Sequence, residues 1–446
     1  MKRRITAVLL SSILLLTSCS LNEAERGKLV KEDQEQEKNV ELTLFYSGEN
    51  TNWIAAIQEL CEEFMNAYPD ITLQMEYSST ESYTEELKTK EAVEEFPDIF
   101  EIDKPYMFES AGKLGVIDES IGKLVENPVR IEGEIYALPF YSTSYGIVYN
   151  QVLFKKYGLS VPNTYKEFLE VCKVLQQNQV ATLAIGGHEN SVESGWINYF
   201  FLTQVESRTP GWQEKKQKEE VSFADPDMEH ALEEFQNLMT GEYVLEDSIH
   251  MGDNEIISRM INQEVAMYYG NPSMLAKIWE AYPRAVDSDK TSMGKEIKND
   301  TVQIRLGWFY MPDNEGKSVV IEKTGAKWAV SAECMKDKKK KGAAETFLRF
   351  CYDREHYREI LQTMYAIPVT KDAVLYAAPM VQQGVLTDYR YAERSTEFLG
   401  NTDTPENFRT DMETVLNSVS ANTMSVKTAV KLLDESWQKE IEGQVP

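Results

Sequence analysis

Between residues 40 and 102 the spacing of apolar residues switches repeatedly between two periods, and that alternation restricts the fold more than any other feature of the chain. Val40, Leu42, Leu44 and Tyr46 recur at every second position, the period of a strand. Trp53, Ile54, Ile57, Leu60, Cys61, Phe64 and Tyr68 follow helical spacing, and Pro69 stops that helix. Ile71, Leu73, Met75 and Tyr77 alternate again, residues 82–94 suit a surface helix, and Asp98 to Ile102 make a third short strand. A β-α-β-α-β order requires parallel strands joined by right-handed crossovers. Such a sheet opens its ligand crevice outside the carboxyl ends of its strands. Those ends are Ser47 to Thr51, Ser78 to Thr80 and Asp103 to Tyr106, with Trp53, Tyr77 and Tyr106 alongside. Hydroxyls, amides, carboxylates and aromatic rings suit a polyol better than a phosphate, and no glycine-rich phosphate loop is present.

The N-terminus predicts where the chain resides. Lys2, Arg3 and Arg4 precede an apolar run from Ile5 to Leu16, too short for a stable membrane span and suited to a secretory signal. Leu16-Thr17-Ser18-Cys19 then places small residues before a thiol, the pattern of a bacterial lipoprotein signal. Residues 1–18 are read as the signal peptide. Cys19 is the expected lipid attachment site, and the polar residues up to 39 form a solvated tether. Two or three acyl chains on Cys19 anchor the protein firmly to the extracytoplasmic face of a cell membrane, with the Gram-positive surface expected.

The remaining 400 or so residues exceed what one hydrophobic core usually serves, so two lobes are expected. Removing Lys2, Arg3 and Arg4 takes the formal net charge from −27 to −30. An exported chain this acidic argues against nucleic acid and against broad contact with an anionic membrane surface. Cys61, Cys172, Cys334 and Cys351 form no CxxC pair, and the first, second and fourth fall on apolar helix faces, as small buried hydrophobes do. A Cys334–Cys351 disulfide is conceivable in an oxidising compartment, but spacing does not establish it. His188, His230, His250 and His356 share no ligand spacing, so no metal and no cofactor is assigned. Asp287-x-Asp289-x-Thr291 lacks the glycine and glutamate of a calcium loop.

A second block follows. Ile135 to Leu138 and Tyr145 to Tyr149 read as strands around Pro139 and Ser142 to Ser144. Thr164 with Glu167 is a capping box, and Asp225-Pro226 starts another helix. Lys338 to Lys341 reads as a solvated turn before a helix from Ala343 to Tyr352, and a last helix runs from Thr428 to Ile441.

Several segments, in order, resemble the extracellular solute-binding proteins of carbohydrate-type ABC importers. They are Phe64 to Ile71, Phe96 to Ile102 with Ala111 to Ile117, Gly133 to Pro139 with Val148 to Pro162, Thr164 to Leu169, Met260 to Asn271, Ala343 to Phe350 and Ala366 to Val369. Gly133-Glu-Ile-Tyr-Ala-Leu-Pro with Tyr149-Asn150 is the most specific piece. Two departures stand out: Gly270-Asn271-Pro272 where many relatives carry glycine-x-tryptophan, and Gln263 in place of a turn glycine. The resemblance implies an α/β, two-lobed periplasmic-binding-protein-like fold, each lobe a mostly parallel sheet flanked by helices. It implies three inter-lobe crossings, placed near 139–144, 272–280 and 332–340. Lobe one then comprises 40–140 plus 276–335, and lobe two 145–275 plus 338–446. Hinge closure traps the solute between them and presents it to the transmembrane subunits of a permease.

Saccharides bind through aromatic faces and planar polar groups, so the candidate ligand-binding residues are Glu49, Asn50, Trp53, Asp103, Tyr141, Trp196, Tyr269, Asn271 and Trp328. Asp103 alternatively caps the helix beginning near Pro105, Trp53 packs in a core, and Trp328 opens a strand. The implied function is capture of a sugar or oligosaccharide by a monomeric, lipid-anchored receptor that is not an enzyme. No GxSxG, HExxH or Cys/His constellation points to chemistry, and acidic pairs without geometry make no glycosidase. A sensor subunit docking on a membrane histidine kinase, and a receptor for a non-sugar solute, are the alternative readings.

Overall fold

A computed structural model describes residues 39–48, 50–79, 83–185, 193–245, 247–272, 274–275, 278, 305–372, 374–391, 393–396 and 406–444. Cys19, Glu49 and the Asp287–Asp289 segment lie outside the described residues. The first strands form where alternation predicts them: β1 (Val40–Tyr46), β2 (Ile71–Tyr77) and β3 (Ile99–Glu101). β1 pairs parallel with β2 from Val40 opposite Ile71 to Tyr46 opposite Tyr77, and with β3 on its other edge. Between β1 and β2, helix α1 (Thr51–Ala67) starts at Asn50, whose side chain accepts from the backbone N–H groups of Asn52 and Trp53. It buries Trp53, Ala56, Ile57, Leu60, Cys61 and Phe64 along one stripe.

The other strands are β4 (Val129–Ile131), β5 (Glu134–Pro139), β6 (Ser142–Asn150), β7 (Ala181–Ile185), β8 (Val265–Gly270), β9 (Leu306–Phe309), β10 (Val319–Thr324), β11 (Lys327–Val330) and β12 (Glu393–Thr396). They build two sheets, one in the order β2-β1-β3-β11-β5-β4, the other β12-β10-β6-β8-β7 with β9 also on β6. Parallel pairing is confined to β2-β1-β3, β10-β12 and β7-β8. The remaining ladders are antiparallel: β4 and β5 form a local hairpin, and β6 and β11, arriving from the other lobe, enter their sheets at the hinge edge and run away from it.

The first crossing falls where it is expected and the other two do not. The first lies at Phe140 and Tyr141, between β5 and β6. β9 and β10, expected in lobe one, pair with β6 in the second sheet, so the second crossing is Gly325–Ala326 rather than 272–280. Helices α2 (Lys338–Cys351) and α3 (Arg354–Met364), expected in lobe two, bury Phe347, Leu348, Tyr357 and Leu361 with Leu42 and Phe64 of lobe one. The chain returns near Ile367, not at 332–340, and helix α4 (Met380–Tyr391) packs Val385 and Tyr389 with Val148 and Tyr268 of lobe two. Periodicity identifies an element but not its partner, which is why these assignments shift. Lys338 to Lys341 is not a turn before a helix but the first turn of α2, capped by Asp337, which accepts from the backbone N–H groups of Lys339 and Lys340.

The three crossings lie side by side. Phe140 N–H donates to the Ala326 carbonyl at 2.8 Å and Gly325 N–H to the Tyr141 carbonyl at 2.9 Å. Ser142 and Ile367 exchange both backbone bonds, at 2.9 and 2.8 Å. The lobe-one helices grip this ribbon through two buried phenols: Tyr352 donates to the Pro139 carbonyl at 2.7 Å and Tyr357 to that of Phe140 at 2.7 Å. Cys61, Cys172, Cys334 and Cys351 are free thiols, all buried, so the conceivable Cys334–Cys351 disulfide is not formed. Among the described residues no helix is long and apolar enough to cross a membrane.

Candidate functional site

β1, β2, β3 and β5 run the same way, so their carboxyl ends share the edge from which the crossings leave. In the second sheet the start of β6 and the ends of β7, β8 and β10 occupy the hinge edge. Both sheets therefore turn these loop ends toward the hinge, the edge at which open α/β sheets bind ligands.

On the lobe-one side, Trp53 stands in the first turn of α1 and is only 2 % exposed. Its indole N–H donates to the Glu101 carboxylate in a short hydrogen bond. Glu101, the last residue of β3, also accepts from the Ser47 N–H at 3.2 Å, and is itself buried. Tyr141 meets Trp53 edge-on at 5.3 Å between ring centroids, and Trp328 lies behind Trp53 at 6.1 Å. Burial, with the Glu101 charge nearby, pushes the Tyr141 phenol well above its usual pKa. Tyr46 is raised to about 12, by burial first and then by its electrostatic neighbours Cys61, Tyr77 and Glu101. The crevice rim holds Asn50 and Asp103, both exposed, together with Tyr77, 45 % exposed, and Tyr106, 41 % exposed.

On the lobe-two side, Trp196 and Tyr269 stack at 4.4 Å with a 30° interplanar angle, and Tyr145 also stacks on Tyr269 at 6.0 Å. The Tyr269 ring leaves no room for a side chain at residue 195: a Cβ on Gly195 would meet it at 2.3 Å. Trp196 stands in a π-helical turn, Glu193–Ile197, and a second follows at Phe201–Glu206, widenings that often accompany functional sites. Asn271 follows β8 directly and is partly exposed.

The structure thus brings Trp53, Tyr141 and Trp328 together on one lobe and Trp196 with Tyr269 on the other. Trp328 and Trp196 are both wholly buried. β11 pairs Trp328 with Glu101 and Leu138, and its buried ring stacks on Trp53. Trp196 likewise stacks on Tyr269. Asn50 caps α1, whereas the helix Pro105–Ser110 begins at Lys104 without a side-chain cap, so Asp103 does not serve there. Glu101 was not among the candidates. Its signal was a charged residue inside the apolar stretch Asp98-Ile-Phe-Glu-Ile, where solvation alone cannot account for a carboxylate. Among the described residues no group of His, Cys, Asp and Glu is placed to hold a metal.

Comparison with known proteins gives this architecture a family. The multiple sugar-binding protein of Streptococcus mutans is 25 % identical over 191 residues, 41 % of this chain and 43 % of that protein. The melibiose/raffinose/stachyose-binding protein MelE of Bacillus subtilis is 18 % identical over 277 residues, 60 % of this chain and 62 % of that protein. Both alignments span less than two thirds of the relative's length. A solved chitin oligosaccharide binding protein shares the fold with a TM-score of 0.74 at 18 % identity, over 91 % of this chain and 100 % of that one. The family model of the bacterial extracellular solute-binding proteins matches residues 47–357, well over half of the sequence, and the chain belongs to that family.

Proposed function

We propose that the protein is the lipid-anchored receptor of an ABC importer, capturing a sugar or oligosaccharide between its lobes and delivering it to the permease. Capture is by binding, without chemistry on the solute. What supports this reading is an aromatic cluster on each lobe beside the hinge: Trp53 and Tyr141 with Glu101 on one, Tyr269 stacked on Trp196 on the other. Rings offer faces to C–H patches, while Asn50, Asp103 and Asn271 offer planar polar groups to hydroxyl pairs. Burying a hydrated sugar exchanges water hydrogen bonds for protein ones, so affinity comes from geometry and stacking. Sugar-binding relatives support the same class of solute. Acylation at Cys19 holds the receptor at the membrane, with residues 20–39 as its tether.

A thermal-shift screen against raffinose, stachyose and chito-oligosaccharides tests the reading. At a hundred times its dissociation constant a true cargo stabilises the fold by about 2.7 kcal/mol, a shift of a few degrees. Unchanged sugar recovered from the complex establishes a receptor; no shift with any member of the panel overturns the saccharide assignment. Mass spectrometry of the membrane-extracted protein checks the anchor, which requires an N-terminal acylated Cys19.

A further inference from the structure

The geometry points to Gly325 as a positioning residue for solute capture, acting through Tyr141 on the Trp53 wall; this rests on the receptor reading above. Gly325 begins the second crossing, and its N–H donates to the Tyr141 carbonyl at 2.9 Å. A Cβ built there would lie 1.9 to 2.5 Å from three atoms of the Tyr141 ring, well inside any real contact. Gly325 does not have a left-handed φ, so what it supplies is room rather than backbone freedom. The ring that occupies this room meets Trp53 edge-on.

Of the two rings, only Tyr141 can give way. Trp53 is fixed by its bond to Glu101 and by Trp328 behind it, whereas Tyr141 is partly exposed on the hinge ribbon. A methyl group at 325 therefore displaces Tyr141 from its seat and separates it from Trp53. Tyr141 bridges the two crossings and the lobe-one wall, so hinge rotation and the shape of that wall are linked through one ring. Ser142, next in sequence, also ties the ribbon to β10, its hydroxyl within hydrogen-bond reach of the Glu322 carboxylate at 2.9 Å and the Lys323 carbonyl at 3.1 Å.

The test compares the full chain with Gly325→Ala, Tyr141→Ala and the double variant, with raffinose as the probe. Gly325→Ala is expected to weaken raffinose binding about tenfold or more, and to abolish the part of the near-ultraviolet circular dichroism that Trp53→Phe also removes. In the Tyr141→Ala background the same glycine substitution should change affinity by less than about twofold, because the ring it displaces is gone. Additive losses in the double variant, or a Gly325→Ala chain that keeps both affinity and spectrum, overturn the inference. If Gly325→Ala does not fold, Tyr141→Leu must reproduce both losses, and its failure to do so is equally decisive. If raffinose and the other saccharides do not bind the unaltered chain, the sugar reading falls. The ligand-free spectra of the four proteins still decide whether Gly325 seats Tyr141 against Trp53.

Discussion

The aromatic walls of the two lobes are built on different principles. In lobe one, Trp53 is held by polar contacts: its N–H bonds Glu101, which also takes the Ser47 N–H, and Tyr141 beside it belongs to the hinge. In lobe two, Trp196 is packed among Phe168, Tyr199, Phe200 and Tyr269, and among the described residues its buried indole nitrogen has no hydrogen-bond partner. A polar-anchored ring keeps its orientation when neighbours move. A packed ring keeps it only while the core around it is filled. Lobe one is thus the side whose wall can tolerate hinge motion at its margin, and lobe two the side whose wall depends on its own interior.

The largest expected effect comes with alkali and reaches both lobes, because burial also lifts the lobe-two phenols of Tyr165 and Tyr199. In lobe one Tyr46 is raised to about 12, and burial lifts Tyr83, Tyr352 and Tyr357 well above the ordinary phenol range. A phenol whose folded pKa is raised contributes stability that is complete below about pH 10 and is lost as the pH climbs through the folded value. Tyr352 and Tyr357 also hold the hinge ribbon by donating to Pro139 and Phe140, and ionised phenols cannot donate. Hydrogen exchange between pH 9 and 12 should show the hinge-ribbon amides around Phe140 and Tyr141 opening along with both lobe cores; a ribbon that stays protected while the cores open would show that the Tyr352 and Tyr357 bonds do not hold it.

Next in size is truncation of the packed wall. Trp196→Ala removes a wholly buried ring and is expected to cost about 3–5 kcal/mol, seen as a lower midpoint in urea. A cost under about 1 kcal/mol would mean that the surrounding rings collapse freely into the space.

How much of this was legible in the sequence follows the same division. Strands and helices of lobe one read directly from period, because β1, α1 and β2 alternate cleanly and Pro69 marks a boundary. That Trp53 follows the carboxyl end of β1 was legible from period, whereas Tyr269 and Asn271 rested on a second crossing that lies instead at Gly325–Ala326. The lobe of β9 and β10 was not legible, since an apolar run does not name the strand it will pair with, and β6 accepts partners from distant sequence. Nor was the burial of Trp328 and Trp196, which depends on what the tertiary fold stacks over them. Glu101 was visible as an acid in an apolar strand, yet its role needed Trp53 to be placed within reach. The π-helical turns around Trp196 have no sequence signature comparable to a cap or a proline.

The smallest and sharpest comparison replaces each wall tryptophan by phenylalanine. Both substitutions remove the same ring volume, so the cavity contributions largely cancel when one is set against the other. In Trp53→Phe the buried Glu101 carboxylate loses a donor that solvent cannot readily replace, at a cost of about 1–3 kcal/mol beyond the shared loss. In Trp196→Phe the polar change runs the opposite way, because a buried N–H without a partner is exchanged for a ring that has none to satisfy. Trp53→Phe should therefore be the more destabilising of the two by at least about 1 kcal/mol in matched urea titrations. Equal costs would show that the Glu101 bond contributes nothing net, and that the two lobes hold their aromatic walls by packing alike.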